Sequence, residues 1–217
     1  MSDLCEQLTD VLPAALEGRT VRTVGMTASA AGFSAPVGAL VEIARHAGPP
    51  LEAEVIGFRD DLTLLFPFAD LGGVRHGDVV RLKRTKNWLR TGEALLGRVV
   101  DARGQAIDGL PQPVLADRTP LDRKPPNPMD RPRIDAPLST GVRVIDGLLT
   151  CGRGQRMGIF AGSGVGKSVT LGMMARYTSA DVNVIALIGE RGRELNEFLA
   201  RDLGPEGLAR SVVVAAT

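Results

Sequence analysis

Apolar positions recur with two different periods along the chain. In residues 3–17 they recur at helical spacing, which predicts an amphipathic helix that Pro13 shortens or splits. Such a helix either packs on its own domain or docks a partner. From residue 20 to about 84 the apolar residues form short β-prone runs instead, at residues 21–26, 37–43, 51–56, 63–66 and 79–82. Five or six strands at this spacing predict a small all-β barrel or sandwich.

A different texture follows the predicted barrel. Residues 95–101 hold a β-branched run followed by turn signals, and the prolines between residues 111 and 132 exclude a long helix or a central strand. These patterns predict four parts: an N-terminal helical segment at 1–19, a small β-barrel domain at 20–92, an extended connector at 93–135 and a further ordered domain at 136–217.

The last part alternates strand-like and helix-like runs. Ser139 or Thr140 can cap a short helix that carries Val144, Ile145 and Leu148. Apolar runs at 157–160, 182–188 and 211–217 then alternate with helical stretches at 169–177 and about 194–201. This order predicts a mostly parallel α/β sheet with a ligand crevice at the carboxyl ends of its strands. The continuous run at 182–188 is typical of a strand buried on both faces. Because the sequence stops in what reads as an interior strand, we expect an incomplete domain and hence a fragment.

The glycine-dense stretch at 156–168, R-M-G-I-F-A-G-S-G-V-G-K-S, lies between a predicted strand and a predicted helix. That context predicts a P-loop, in which Gly162, Gly164 and Gly166 let backbone N–H groups point inward at a polyphosphate. Lys167 is then expected at the β and γ phosphates, and the Ser168 hydroxyl on the Mg²⁺ that bridges them. Ala161 replaces the first glycine of the strict pattern, which is tolerable if its φ is negative. The alternative is a glycine-rich turn without a ligand.

A carboxylate follows the next predicted strand and opens onto the same crevice. Glu190 is well placed to orient a water in line with the γ-phosphorus, and Arg191 and Arg193 beside it can hold phosphate oxygens or pair with carboxylates. Alternatively, Glu190 only stabilises the N-terminus of the following helix. Asp181 and Asp202 do not end apolar strands, so neither is predicted to support the metal.

Composition adds few constraints. The chain has 217 residues, 44% of them hydrophobic and 24% charged, with a net charge of +1, as in ordinary soluble globular proteins. This charge gives no global electrostatic argument for binding nucleic acid or an anionic membrane. Cys5 and Cys151 lie far apart without a secretory signal, which favours free thiols in a reducing cytosol. No run approaches the roughly 20 apolar residues of a membrane span.

One basic segment can be interpreted in two ways. Residues 81–90, R-L-K-R-T-K-N-W-L-R, hold five basic residues beside Trp88. Basic residues interleaved with an aromatic one can form a nucleic-acid strip on a barrel. They can equally protect an edge strand from aggregation.

Two long motifs resemble a known family. The stretch from Leu138 through Ser168, followed by A-L-I-G-E-R-G-R-E at 186–194, resembles the catalytic subunits of rotary F-type ATP synthases. It is still more similar to flagellum-specific and type III secretion ATPases, because Ala161 followed by Gly-Ser-Gly is typical of that branch. L-L-G-R-V-V-D at 95–101 and I-D-G at 107–109 are similar to the family stretch between barrel and ATPase domain.

The resemblance implies a RecA-like P-loop ATPase domain behind the barrel, with ATP and Mg²⁺ as its cofactors. It implies catalytic roles for Lys167, Glu190 and Arg191, the last at the γ-phosphate, and a metal-binding role for Ser168. The implied nucleotide-binding residues are Ala161, Gly162, Ser163, Gly164, Val165, Gly166, Lys167, Ser168 and Val169. The family's magnesium-strand aspartate, arginine finger and adenine-stacking aromatic have no counterpart in this sequence, so catalysis by these 217 residues alone is not expected.

The resemblance also implies a cellular role. The family forms homohexameric rings that are cytoplasmic and peripheral to the inner membrane. These rings power or unlock protein export through flagellar-type secretion systems, with export-gate and stalk-like proteins, chaperones and exported proteins as partners and no nucleic acid expected. Three alternatives stay open: an F-type synthase-like catalytic subunit, a ring-shaped nucleic-acid motor, and a non-catalytic nucleotide-binding ring subunit. The chemistry does not separate flagellar from virulence-type secretion; only the loop sequence favours the flagellar form.

Overall fold

The computed structural model describes residues 16–162 and 164–216. The chain folds into two compact units. The first runs to Trp88 and includes Pro120–Asp122; the second comprises Leu89–Thr119 and the residues from Arg123 onward. The domain boundaries expected from the sequence stay predictions.

Six antiparallel strands of the first unit close into a barrel. Around the barrel the strands follow the order β1-β2-β5-β4-β3-β6, and the closing pair joins Glu17 to Arg81 and Arg19 to Val79. The strands are β1 (Glu17–Val24), β2 (Thr27–Ala31), β3 (Leu40–Ile43), β4 (Leu51–Arg59), β5 (Leu62–Pro67) and β6 (Val79–Arg84). The expected small barrel is confirmed.

Alternation along the strands builds the barrel core. In β4 the buried Leu51, Ala53 and Val55 alternate with partly exposed Glu52 and Glu54, the period expected of a strand with one inward face. Strands β2, β3, β5 and β6 contribute further residues to this core, among them Ala28, Ala30, Ile43, Leu65 and Val80. The sequence missed β2, T-A-S-A-A, because alanine is depleted in strands and carries no β-prone signal.

The helix predicted at residues 3–17 can be compared with the structure only at residues 16 and 17, and there it differs. Residues 1–15, which carry most of the helix predicted at 3–17, lie outside the described residues. Glu17, its last residue, already belongs to β1, and Leu16 packs against the barrel core.

Seven further strands and four α-helices follow among the residues that the structure describes. The strands are β7 (Trp88–Thr91), β8 (Val99–Asp101), β9 (Asp117–Pro120), β10 (Pro137–Leu138), β11 (Cys151–Gly152), β12 (Asn183–Ile188) and β13 (Ser211–Ala216). The α-helices are α1 (Arg143–Leu148), α2 (Lys167–Tyr177), α3 (Gly192–Glu197) and α4 (Gly204–Ala209), and a π-helical segment at Phe198–Leu203 joins α3 to α4. Short 3₁₀ turns lie at Glu93–Leu95 and Pro128–Asp130. In the part of the chain described here, no helix is long and apolar enough to cross a membrane.

A parallel sheet organises the second unit. Its strands follow the order β12-β13-β8, with Val213 beside both Ile185 and Val99. Helix α2, the π-helical segment and α4 cover one face of this sheet, where Val99, Ala175, Phe198, Leu203 and Val213 form a buried cluster. The expected mostly parallel α/β sheet is therefore confirmed.

Strand β8 comes from the stretch interpreted as a connector. Hydrogen bonds from Gly97 N to Ser211 O (2.8 Å) and from Val213 N to Arg98 O (3.0 Å) attach it to β13. A three-residue strand is too short to show a period, so its place in the sheet depends on pairing that local sequence does not encode.

Two predictions about apolar runs were wrong. The run at 157–160, expected as the strand before the P-loop, forms no strand, and its Phe160 is almost fully exposed. No described strand pairs with it, so its backbone has no ladder to join. The run at 182–188 forms β12 but is not buried on both faces, because Val184 and Ile188 are more than 70% exposed. One face of β12 packs on the helices, and no described element covers the other.

Candidate functional site

The loop that enters α2 has a backbone that favours glycine. Gly164 has φ +75° and Gly166 has φ +94°, values that residues with a Cβ rarely adopt. An added Cβ at Gly162, Gly164 or Gly166 meets nothing within 4 Å, so the space inside the loop is open. Ala161 keeps a negative φ, as its place in the loop requires. Left-handed residues within such a loop can turn backbone N–H groups toward an anion. Ser163 lies outside the described residues.

Helix α2 begins at Lys167 and places its N-terminus at this opening. Thr170 stabilises the first turn by donating from both its amide (2.9 Å) and its hydroxyl (3.0 Å) to Gly166 O. The first turn contains no acidic residue. The partial positive charge of the helix N-terminus is therefore not offset locally and favours an anionic ligand.

Glu190 lies opposite Lys167. Strand β12 ends at Ile188, and Gly189 then turns the chain with φ +71° while its amide donates to Ala216 O (2.8 Å). This turn brings Glu190 Oε1 to 3.7 Å from Lys167 Nζ. Both side chains keep solvent access, at 33% and 45% exposure, so the pair contributes little to stability. The structure thus brings together the two residues that the sequence analysis had singled out.

Two adjoining cavities share this pair of side chains. The larger, about 380 Å³, lies along the P-loop and is lined by Gly162, Gly164, Gly166, Lys167, Ser168, Val169, Glu190, Glu194, Glu197, Phe198, Arg201 and Asp202. The other, about 270 Å³, lies between α2, the end of β12 and α3, and shares Lys167, Ser168 and Glu190. One side of the larger cavity offers backbone amides, the Lys167 ammonium group and the Ser168 hydroxyl, and the Glu190 carboxylate lies opposite. Such a set of groups suits a phosphate ligand with bound magnesium.

Arg191 is placed differently from the other predicted residues. Its guanidinium donates to Glu194 Oε1 (2.9 Å), and its side chain is 85% exposed. The hydrogen bond from the Arg191 guanidinium lowers the pKa of the Glu194 carboxyl. Arg191 is not among the residues that line either cavity, so the structure does not bring it to the P-loop.

Sequence reasoning missed five residues in the wall of the larger cavity: Glu194, Glu197, Phe198, Arg201 and Asp202. Glu194 lies four residues after Glu190, a spacing that a helical reading could have flagged. Phe198 and Asp202 had no such signal, because the π-helical segment sets which of its residues turn inward. That segment packs closely on α2, since a Cβ at Gly172 would lie 2.7 Å from the Asp202 carbonyl carbon.

The other nucleotide-binding residues expected from the resemblance lie on the same loop. Val169, in the first turn of α2, lines the larger cavity. The Val165 side chain is mostly exposed. Their roles in binding stay predictions, as does the role of Ser168 as a metal ligand.

Comparisons with known proteins agree with this geometry. Residues 141–217 match the model of the ATP synthase alpha/beta family, nucleotide-binding domain. The chain is 49% identical over 209 residues to a flagellum-specific ATP synthase of Salmonella typhimurium, covering 92% of this chain and 46% of that protein. It is 49% identical over 202 residues to a type 3 secretion system ATPase of Xanthomonas euvesicatoria, with the same coverage of both chains. The chain thus spans about half the length of the curated relatives it matches.

Solved structures give the same result. The assembled ATPase EscN of the enteropathogenic E. coli type III secretion system, in complex with its central stalk EscO, matches with a TM-score of 0.83 and 43% identity. That match covers 92% of this chain and 49% of the EscN chain. The assembled EscN ATPase without the stalk matches with a TM-score of 0.81, also at 43% identity, and covers 92% and 48% of the two chains.

Proposed function

We propose, on the premise that this chain is homologous to the flagellum-specific and type III secretion ATPases, that it binds ATP at its P-loop and forms the nucleotide-binding part of an ATP-hydrolysing motor for protein export. The observation that carries the proposal is the meeting of Lys167 Nζ and Glu190 Oε1 at 3.7 Å across an open, glycine-lined cavity. A cation that attracts the terminal phosphates and a carboxylate that can polarise a water are two of the groups on which ATP hydrolysis depends.

The residues have separate roles in this proposal. The amides of the glycine loop and the N-terminus of α2 hold the phosphates, and Lys167 contacts the β and γ phosphates. The Ser168 hydroxyl would hold Mg²⁺, which neutralises phosphate charge when bound. Glu190 orients the attacking water. Arg191 would have to break its ion pair with Glu194 to reach a γ-phosphate. We therefore propose a smaller contribution to hydrolysis from Arg191 than from Glu190.

The assembly and its partners are carried over as part of the proposal. Because EscN is described as assembled and as bound to a central stalk, we propose that this chain likewise contributes to a homohexameric ring that meets a stalk-like protein. The export gate, chaperones and exported proteins of a flagellar-type system at the inner membrane are the further partners we expect.

Substituting Glu190 by Gln tests the proposal directly. Gln keeps the shape of the side chain but cannot act as a base, so the assembled ATPase should retain ATP affinity within about twofold and lose about 100-fold or more in phosphate release. Isothermal titration and a phosphate-release assay measure the two quantities. Glu197→Gln is the matched control, since Glu197 lies on the same cavity wall but pairs with Arg201 at 2.8 Å. Unchanged phosphate release by the Glu190 variant would refute the assignment.

A ring-shaped nucleic-acid motor is the strongest alternative, and contacts in the barrel argue against it. Lys83 pairs with Glu52 (2.9 Å) and Glu42 (3.1 Å), and Glu52 is the main cause of the raised pKa of Lys83. Arg81 pairs with Glu17 at 2.6 Å. The Arg84 guanidinium lies over the Trp88 ring, 4.5 Å from its centre. Two of the five basic residues at 81–90 are therefore paired with carboxylates, and Arg84 covers a face of the aromatic ring on which a base would stack.

A further inference from the structure

The far end of the P-loop helix is attached to a turn that the proposed nucleotide site does not include. Helix α2 ends at Tyr177, and the next two residues bind one carbonyl oxygen. Ser139 O accepts hydrogen bonds from the Ser179 amide (2.9 Å), the Thr178 hydroxyl (3.0 Å) and the Ser179 hydroxyl (3.3 Å). Three donors on one acceptor attach the turn at residues 139–141, here called the anchor turn, to the helix end.

Asp146 holds the anchor turn together. Its carboxylate accepts from the Thr140 hydroxyl (2.7 Å), the Thr140 amide (2.8 Å), the Ser139 hydroxyl (2.9 Å) and the Gly141 amide (3.1 Å). The sequence had predicted that Ser139 or Thr140 caps α1; instead both bind the Asp146 side chain, and α1 has no side-chain cap. A carboxylate with four donors organises the turn more strongly than a neutral side chain could.

Close packing completes the attachment. Gly141 has φ +74°, and a Cβ there would lie 2.6 Å from the Tyr177 carbonyl oxygen. The anchor turn therefore touches the backbone of the helix end as well as hydrogen bonding to it. The Thr140 side chain is fully buried beneath this contact.

The two ends of α2 are held in different ways. At its N-terminus the preceding loop is made of glycines whose Cβ positions meet nothing, so packing there restrains the helix weakly. Along its length α2 meets Asp202 at Gly172, and the Asn183 side chain donates to Ala175 O (2.8 Å). An α-helix of 11 residues is a stiff rod of about 16 Å, so a tilt at Tyr177 displaces Lys167 at the other end.

We infer that Asp146, acting through the anchor turn, is a positioning residue that sets where Lys167 and Ser168 stand relative to Glu190. It lies at the end of α2 opposite to Lys167 and forms no part of either cavity wall. The prediction that Asp146 affects nucleotide binding rests on the proposed function. The prediction that Asp146 keeps the N-terminal turn of α2 ordered does not depend on that function.

The variant Asp146→Asn tests this inference, with Asp108→Asn as its matched control. Asn can accept at one oxygen but turns an NH₂ group toward the remaining donors. Asp108 is also a multiply bonded carboxylate of the same unit, but its hydrogen-bond partners are the Arg98 side chain and the amides of Val99 and Leu110, none of which belongs to α2 or to the anchor turn. Loss of either carboxylate lowers stability, whereas only loss of Asp146 should change the site.

Two measurements separate positioning from mere stabilisation. At a temperature where each variant is folded, we expect Asp146→Asn to weaken MgATP binding about tenfold and Asp108→Asn to leave it within about twofold. Without nucleotide, hydrogen exchange at the Thr170 amide, which bonds to Gly166 O, should speed up in the Asp146 variant and not in the Asp108 variant, because this amide exchanges by local opening of the helix N-terminus. Thr178→Val, a milder change that removes one donor to Ser139 O, should shift both readouts in the same direction.

The outcomes can be told apart. The inference is overturned if the Asp146 variant is less stable but keeps its ATP affinity and its exchange rate at the Thr170 amide. If the Asp146 variant does not fold, the same result in Thr178→Val overturns it. If the unaltered chain binds no ATP, the proposed function fails, and the exchange measurement still decides the inference on its own. Faster exchange at Thr170 in that case supports positioning, and unchanged exchange refutes it.

Discussion

Lys167 and Glu190 come from different elements, and each directly follows a glycine with positive φ. Gly166 (φ +94°) starts the helix that carries Lys167, and Gly189 (φ +71°) turns the chain after β12. Each turn aims the following residue at the shared cavities. The residue type before each charged group is therefore as important to the site as the charge itself.

At Gly189 we expect substitution by Ala to disturb the site through the backbone. A Cβ meets nothing within 4 Å there, so the cost is that of positive φ, about 1 kcal/mol, together with a displaced Glu190. Gly154→Ala is the control, because Gly154 has φ +86° and equally open surroundings but lies outside both cavities. Chemical denaturation should show similar losses of stability for the two variants. Phosphate release should be slower only for Gly189→Ala, and equal turnover of the two variants would argue against a role for this turn.

Asp108 should give the second unit part of its acid sensitivity. Hydrogen bonds from Arg98 (2.7 and 2.9 Å), and then from the amides of Val99 and Leu110, hold the pKa of this carboxyl far below its ordinary value. A depressed folded-state pKa gives stability that is complete above the unfolded pKa of about 3.9 and is lost as the pH falls toward the folded value. Asp108→Asn should therefore lose about 2 kcal/mol at pH 7 and show a shallower loss of stability between about pH 4 and 2. Urea unfolding across this range measures both, and parallel curves would contradict the prediction.

The predicted residues that lie together in the structure are those whose sequence signal is local, and their roles stay predictions. Lys167 and Ser168 follow from a contiguous stretch, and Glu190 from its place just after an apolar strand. The contact of Arg191 with Glu194 depends on the start of α3, and that of Asp202 with α2 depends on a π-helical turn. The sequence left open whether Arg191 holds phosphate oxygens or pairs with a carboxylate. Neither register can be read from a few neighbouring residues, so the partner of neither side chain was predicted.

At the scale of elements, the strands that could be predicted were those that can be recognised without knowing their pairing partners. The runs that became β12 and β13 are long enough to be recognised and were predicted as parallel strands. The run at 157–160 looks equally apolar, but no described strand lies beside it. Three residues of β8 joined the sheet by pairing with β13, and hydrogen bonds from Arg98 to Asp108 and Pro111 hold the loop that follows them. Pairing partners distant in sequence explain each failure.

The two faces of the sheet should respond differently to the same substitution. Val213 is fully buried between the sheet and its helices, whereas Val184 is 74% exposed. Val213→Ala should lower the free energy of unfolding by about 2–3 kcal/mol and Val184→Ala by less than about 0.5 kcal/mol. Urea titrations of the two variants provide the comparison. Equal losses would mean that the exposed face of β12 is covered in solution.

For the whole molecule, the closed barrel could be predicted as a small β domain but not in its strand order. The neighbours β2-β5 and β3-β6 join runs that are distant in sequence, and hydrophobic periodicity contains no information on such pairs. The salt bridges of Lys83 and Arg81 depend on this order, because their carboxylate partners lie on other strands of the barrel.

The carboxylate pairs of Arg81 and Lys83 lead to a prediction about nucleic-acid binding by the intact protein. We expect labelled single-stranded RNA or DNA to bind no more tightly than the roughly 10⁻⁴–10⁻⁶ M that is typical of non-specific contacts at physiological salt. Trp88→Ala should leave that weak binding unchanged, because the ring is occupied by Arg84. Fluorescence anisotropy at several salt concentrations measures both. Tight, strongly salt-dependent binding that is lost in the Trp88 variant would support the nucleic-acid motor instead.

The central claim is that one nucleotide lies between the glycine loop and Glu190. The most direct test is an experimental structure of the protein with Mg²⁺ and a non-hydrolysable ATP analogue. We expect phosphates along Gly162–Ser168, with the terminal phosphate between Lys167 Nζ and the Glu190 carboxylate. A terminal phosphate bound away from Lys167, or a Glu190 side chain turned to the opposite face of the sheet, would contradict it.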